Sequence, residues 1–409
     1  MESKEELLDV WIDEVKKLVL ERMDSTQCLS DEDVREIIWQ TIELYSRQHV
    51  LMLSEREHLG KEVFHALRRL DIIQELVDDP QITEIMVNGG GRIFYEKRGR
   101  LYQWERSFTS EERLQNVVQQ IVGNSNRMVN ELHPIVDTRL ANGSRVNIVL
   151  KPIAIDGTAL SIRRFPDHPV NMKQLLLWDS LSAEVLELLR KLVVAGYNIF
   201  VSGGTGSGKT TFLNALSEYI PRSERIVTIE DSAELQIRGI PNIVRLESRM
   251  AKLEGAQEIS IRDLIRSALR MRPNRIIVGE CRGPEALDVL QAMNTGHDGS
   301  LSTGHANSAK DMISRIETMV LMDSMQLPIE AIRGQIASGI DIVIHLGRLR
   351  DGSRKLLQVA EIDGIEDGRV RLRTLFQFQE QGEENGRIKG TWEKKEELLY
   401  QEKLYAAGL

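Results

Sequence analysis

Apolar residues recur at helical spacing along residues 1–76, in stripes such as Leu8, Trp11, Ile12, Val15, Leu18, Val19 and then Val34, Ile37, Ile38, Ile42, Tyr45. Ser30-Asp31-Glu32-Asp33 stands before the second stripe in the form of a capping box. A third stripe runs through Val63, Phe64, Leu67, Leu70 and Ile73. A small helical bundle is expected. From residue 77 the period shortens. Ile82 to Gly91 reads as a strand ending in a tight turn, and Arg92 to Glu96 as the returning arm of a hairpin. A helix is expected from Ser110 to Val122, with strands from Ser144 to Leu150 and Ala159 to Phe165, giving an α+β domain over 77–165. Residues 166–170, with Pro166 and Pro169, read as a stiff linker.

Over 171–378 helices and short apolar runs alternate, the pattern of a doubly wound α/β domain. Expected parallel strands are Asn198 to Val201, Ile226 to Ile229, Arg275 to Val278 and Leu301 to Thr303. Alternating runs then suggest a β-meander, and 379–409 reads as a charged tail with a helix near Glu396 to Tyr405.

The second of these domains carries the chemistry. Gly203-Gly204-Thr205-Gly206-Ser207-Gly208-Lys209-Thr210 fits the phosphate-loop pattern between an apolar strand and a helix that starts near Thr211. Its glycines let successive N–H groups face phosphate oxygens; Lys209 would reach the β- and γ-phosphates and Thr210 a Mg²⁺ ion. The expected ligands are therefore ATP and Mg²⁺.

Composition narrows the class. The chain has 409 residues, a net charge of −9 and two cysteines, Cys28 and Cys281, in no metal-binding spacing. That balance argues against neutralisation of nucleic-acid phosphates as the main task. The acidic N-terminus predicts no signal peptide, and no apolar run has the ~18 residues needed to span a bilayer. A cytoplasmic protein is expected.

An ATP-hydrolysing site also needs acids beside the loop. Glu280 follows the strand Arg275 to Val278 and takes the Walker B role, as a Mg²⁺-orienting carboxylate together with Thr210. Glu230, in Ile229-Glu230-Asp231-Ser232-Ala233-Glu234, also ends a strand and is the first candidate for positioning the lytic water, with Glu280 close behind. His297 and His305 flank a short strand. His297 is assigned to γ-phosphate sensing or to an inter-subunit contact, and His305 equally to structure or function. Arg139, Arg145, Arg163 and Arg164 cluster ahead of the linker, where at least one is expected to touch nucleotide as an arginine finger.

Together the phosphate loop, the acid box at 229–234, Val278-Gly279-Glu280-Cys281-Arg282-Gly283, the histidine box and Asp137 to Asn147 resemble the secretion ATPase superfamily of type II and type IV secretion and type IV pilus motors. The resemblance is strongest to the CpaF-like branch of Tad/Flp pilus assembly. It implies a PAS-like domain at 77–165, a RecA-like motor at 171–378 and a homo-hexamer with arginines reaching nucleotide across a cleft. It also implies peripheral attachment to the inner face of the cytoplasmic membrane through a platform protein. The four-cysteine zinc module of other branches is absent, and no nucleic acid is expected. The alternatives on the same core are a nucleic-acid translocase and a metabolite kinase.

Overall fold

The first segment forms three helices, α1 (Lys4–Arg22), α2 (Asp31–Tyr45) and α3 (Leu53–Arg68). Their inward stripes meet around Ile12, Val15, Val34, Ile38, Ile42, Leu59, Val63 and Phe64. Each such side chain contributes about 1.5–3 kcal/mol by leaving water. Ser30 and Asp33 close the capping box in both directions, so the start of α2 is fixed locally. These are features of a computed structural model that describes residues 4–23, 29–97, 99–123, 128–164, 169–249, 258–323 and 327–409. Cys28, Phe165 and the linker residues 166–168 lie outside them.

The third stripe serves two cores. Val63 and Phe64 belong to the helical core, whereas Ile73, beyond the end of α3, packs with the sheet that follows. Between them Asp71 adopts φ 51°, an unusual conformation for a residue with a side chain. Its carboxylate accepts from Arg113 Nε at 2.9 Å and Nη2 at 2.6 Å, both residues being buried. This forked pair ties the helical segment to the sheet domain.

That domain comprises α4 (Gln74–Asp78), β1 (Ile82–Asn88), β2 (Ile93–Lys97), β3 (Arg100–Gln103), α5 (Glu111–Gly123), β4 (Ile135–Arg139), β5 (Arg145–Val149) and β6 (Ala159–Arg163). The strands form an antiparallel sheet of order β3-β2-β1-β6-β5-β4. Alternation sends Val146, Ile148, Leu160 and Ile162 into the core and Arg145 and Arg163 to the other face. With the helices it makes one compact unit, Met1–Asp167, and His168–Leu409 makes a second.

The second unit contains α6 (Met172–Leu177), α7 (Ala183–Val194), β7 (Ile199–Gly203), α8 (Lys209–Ser217), β8 (Ile226–Glu230), β9 (Ile243–Glu247), α9 (Ile261–Ala268) and β10 (Arg275–Val278). It continues through α10 (Ala286–Asn294), β11 (Leu301–Gly304), α11 (Ala309–Leu321), α12 (Ile329–Gly339), β12 (Ile342–Arg348), β13 (Arg354–Glu366), β14 (Arg369–Glu384), β15 (Arg387–Lys394) and α13 (Glu402–Ala406). Nine strands form one sheet, β15-β14-β13-β12-β7-β11-β10-β8-β9, parallel from β12 to β9 and antiparallel beyond. Every residue of β7, β8, β10 and β11 is buried, as fits parallel strands covered on both faces. The stretch expected as a charged tail is different: 379–394 pairs into the sheet as the end of β14 and as β15. Phe378, Ile388 and Trp392 give it an inward face, while its charges fall mostly on exposed positions of an edge strand.

At the amino edge of the parallel strands the polar groups are mutually saturated. Asn198 donates its side-chain amide to Met293 O and Gly339 O and accepts from Ser300 N. Asp341 accepts from Asn198 N and from Lys403 Nζ, each at 2.7 Å. Glu361, 1% exposed, accepts from the backbone N–H groups of Leu399 and Tyr400.

Candidate active site

The parallel register brings the ends of β7, β8, β10 and β11 to the other, carboxyl edge. There Gly203 closes β7 and Gly208 caps α8, and the loop between them exposes Gly204, Thr205 and Gly206. Gly206 (φ 72°) and Gly208 (φ 91°) occupy the left-handed region that a side chain disfavours. Gly203 is constrained differently: a Cβ there would stand 2.4 Å from Ser207 Oγ and 2.7 Å from Leu346 O. Three donors converge on Gly204 O, namely Ser207 N at 3.3 Å, Ser207 Oγ at 2.8 Å and Lys209 Nζ at 3.2 Å. A phosphate oxygen is the ligand such a cluster at a helix N-terminus suits.

Lys209 is buried, and its ammonium also lies 3.2 Å from His305 Nδ1. His305 follows β11, and its Nε2 is 2.8 Å from Glu280 Oε1. Glu280 follows β10, and its other oxygen accepts from Arg282 Nη2 at 2.6 Å; Arg282 in turn lies 3.6 Å from Asp231. Burial, and next the Lys209 charge, lower the pKa of His305. Lys209 Nζ lies 3.2 and 3.4 Å from the two ring nitrogens of His305, so one imidazole stands between the phosphate-loop lysine and the acid.

Glu230 is more enclosed. Its Oε1 accepts from Glu234 N at 2.7 Å and Leu235 N at 2.8 Å, and a side chain at Gly279 would meet its Cγ at 2.8 Å. It shapes the loop after β8. Cys281 is buried between β10 and β11, and burial pushes its thiol pKa well up, consistent with a small packing residue.

A family model described as type II/IV secretion system protein matches residues 67–402. The chain belongs to that family. Among its relatives, a provisional conjugal transfer protein of Mycobacterium tuberculosis is 33% identical over 311 residues, spanning 75% of this chain and 87% of its own. The type IV secretion system protein PtlH of Bordetella pertussis is 34% identical over 310 residues, spanning 69% of this chain and 91% of its own. Of the solved structures, the pilus retraction motor PilT with bound ADP aligns with TM-score 0.51 and 26% identity over 68% of this chain and 78% of that one.

Within this secretion family, the residues singled out from the sequence fall into three groups. Gly203 to Thr211, Glu230 and Glu280 gather at the carboxyl edge. His297 does not. It precedes β11, on the amino edge, with Nδ1 3.2 Å from Ala292 O, away from the phosphate loop of its own subunit, whereas His305 stands beside Lys209. The strand between them is short, but it crosses the sheet. Of the arginines, Arg139 pairs in register with Arg145 and Arg145 with Arg163, a row across β4, β5 and β6 on the face away from the core. Arg164 points elsewhere, its Nη1 donating to Val77 O and Asp79 O.

Proposed function

We propose that this protein is an ATP-hydrolysing motor that powers Tad/Flp-type pilus assembly or type II/IV secretion at the inner face of the cytoplasmic membrane. The observation that carries the reading is the path from Lys209 through His305 to Glu280 beneath the glycine loop. Lys209 and the loop N–H groups bind the β- and γ-phosphates. Glu280 orients the attacking water, and His305 reports on both. Glu230, its Oε1 taken by two backbone donors, organises the loop that carries Asp231 and Glu234.

Mg²⁺ fits the donor set. Among the described residues there is no group of three or more carboxylate, imidazole or thiol side chains to hold a metal alone. The Thr210 hydroxyl and the Glu280 carboxylate would hold an ion bound mainly by phosphates, which is how Mg²⁺ is commonly held. The ion would neutralise charge on the phosphates.

The motor is read as a homo-hexamer, with 77–165 as a PAS-like domain, Arg139, Arg145 and Arg163 completing a neighbour's site and His297 at a subunit contact. Domain motion would pass to a membrane platform protein. No helix among the described residues is long and apolar enough to cross a membrane, which suits an engine that docks on such a partner. The test is ATP turnover per chain against protein concentration, with Mg²⁺ and without nucleic acid. Turnover that rises steeply and saturates supports sites completed between subunits. Flat turnover, appearing only with DNA or a small acceptor, overturns the secretion motor in favour of a translocase or a kinase.

A further inference from the structure

The phosphate loop is also touched from outside, by a segment that no motif marked. β12 runs parallel to β7 with Leu346 opposite Gly203, so its turn into β13 emerges at the carboxyl edge beside the loop. Arg348 and Arg354 face each other across the base of that turn. Arg354 Nε donates to Gly206 O at 2.9 Å, joining residues 148 apart in sequence. Its Cδ lies 3.3 Å from where a Cβ on Gly208 would stand, and Arg348 Nη1 lies 3.9 Å from the corresponding point on Gly206.

This contact bears on the least determined bond of the loop. A glycine at φ 72° has little steric preference, so the Gly206–Ser207 peptide is free to flip as far as its own sterics go. In a trans peptide the C=O and the following N–H point to opposite sides. Holding the Gly206 carbonyl outward therefore keeps the Ser207 N–H inward, where it meets Gly204 O.

The holder is itself braced. Asp351 accepts from Ser353 N, Ser353 Oγ and, from β15, Ile388 N at 2.9 Å. Burial would raise its pKa, but these bonds outweigh burial and hold it at about 2, so the carboxylate is ionised at neutral pH. Arg350 reaches Glu380 on β14 at 2.6 Å. The outermost hairpin of the sheet thus stiffens the turn that grips the loop.

We propose that Arg354 is a positioning residue for nucleotide binding, fixing the apex peptide of the phosphate loop, with Asp351 as its brace. The inference rests on the nucleotide-binding reading above and adds a residue and a route to it. The test titrates a fluorescent ADP analogue into the full chain and its Arg354→Ala, Arg354→Lys and Asp351→Asn variants, with ATP turnover alongside. Arg354→Ala should bind about tenfold more weakly, the size expected for a lost charged hydrogen bond. KM for ATP should rise more than kcat falls. Arg354→Lys keeps the charge but not the Nε direction and should resemble the alanine variant. Asp351→Asn should shift binding the same way by about twofold to threefold, the range of a weakened neutral bond. Unfolding midpoints without nucleotide serve as the folding control. Wild-type binding with an indifferent Arg354→Ala overturns the inference alone, as does full rescue by lysine, which would make charge the cause. A wild-type chain that fails to bind the analogue overturns the nucleotide reading and this inference with it.

Discussion

The two edges of the nine-stranded sheet carry similar side chains to opposite ends. The amino edge has Asp341, Glu361, Lys403 and Asn198; the carboxyl edge has Glu280, Glu230, Lys209 and His305. At the amino edge the partners are backbone groups and side chains of the same fold, and little is left for a ligand. At the carboxyl edge the donors of a glycine-rich loop crowd onto one carbonyl in an exposed turn, a cluster that a triphosphate satisfies better. Charge content does not separate a site from a clasp. Strand direction and the presence of exposed backbone donors do.

Lys209→Ala gives the largest test of that contrast. ATP turnover should fall by at least about a hundredfold, in keeping with removal of an electrostatic contact to the transferring phosphate. Its unfolding midpoint should stay close to wild type. Glu280→Gln should lose turnover on the same scale while still retaining bound nucleotide on a filter; full hydrolysis by this variant would move the acid role to Glu230. Asp341→Ala should do the reverse, costing about 2 kcal/mol for two lost hydrogen bonds, or roughly 4–8 °C in midpoint, with nucleotide affinity unchanged. An altered affinity there would mean that the edges are coupled.

The smallest effect is one of pH, and its sign differs between the edges. Burial raises the pKa values of Asp341 and Glu361 above 3.8 and 4.5, so both hold protons more tightly in the folded chain. Their contribution to stability is complete at the acid end and falls away as pH rises through the folded values. His305 lies below 6.5, so its contribution is complete above that value and is lost as pH falls through the folded one. Unfolding free energy measured from pH 4 to 8 should show a steeper loss with rising pH at the acid end that Glu361→Gln removes. His305→Gln should instead remove a gain on approaching pH 6.5. The same sign in both variants would break the comparison.

Most of the motor sheet was legible because buried parallel strands are short apolar runs, and the phosphate loop carries its own punctuation. β9 escaped notice: it is an edge strand whose residues alternate between half-buried and exposed, and Arg245 and Glu247 interrupt its apolar pattern. The end of β14 and β15 were read as tail for the same reason. The choice of His297 over His305 had a remedy in the sequence itself. Glu230 and Glu280 stand at or just past the C-terminal ends of parallel strands, and the same rule applied to Leu301 to Thr303 selects His305. Arg164 was beyond reach, since neighbours in sequence share composition while the strand end turns one guanidinium toward Val77 and Asp79. Arg354 announces itself only once β12 is known to run beside β7.

The place of β7 at the centre of its sheet has a consequence for synthesis. It is flanked by β11 and β12, and Asn198, just before it, is clasped by Asp341, 143 residues later, while Tyr197 bonds to Tyr400, 203 residues later. A ribosome adding about 5–20 residues per second exposes the strand bearing the phosphate loop many seconds before either neighbour or clasp exists. The helical bundle, by contrast, closes on contacts a few dozen residues apart and is ready early. Nascent motor domains therefore carry a bare, apolar central strand for a long interval, which makes this strand the segment a chaperone would have to shield.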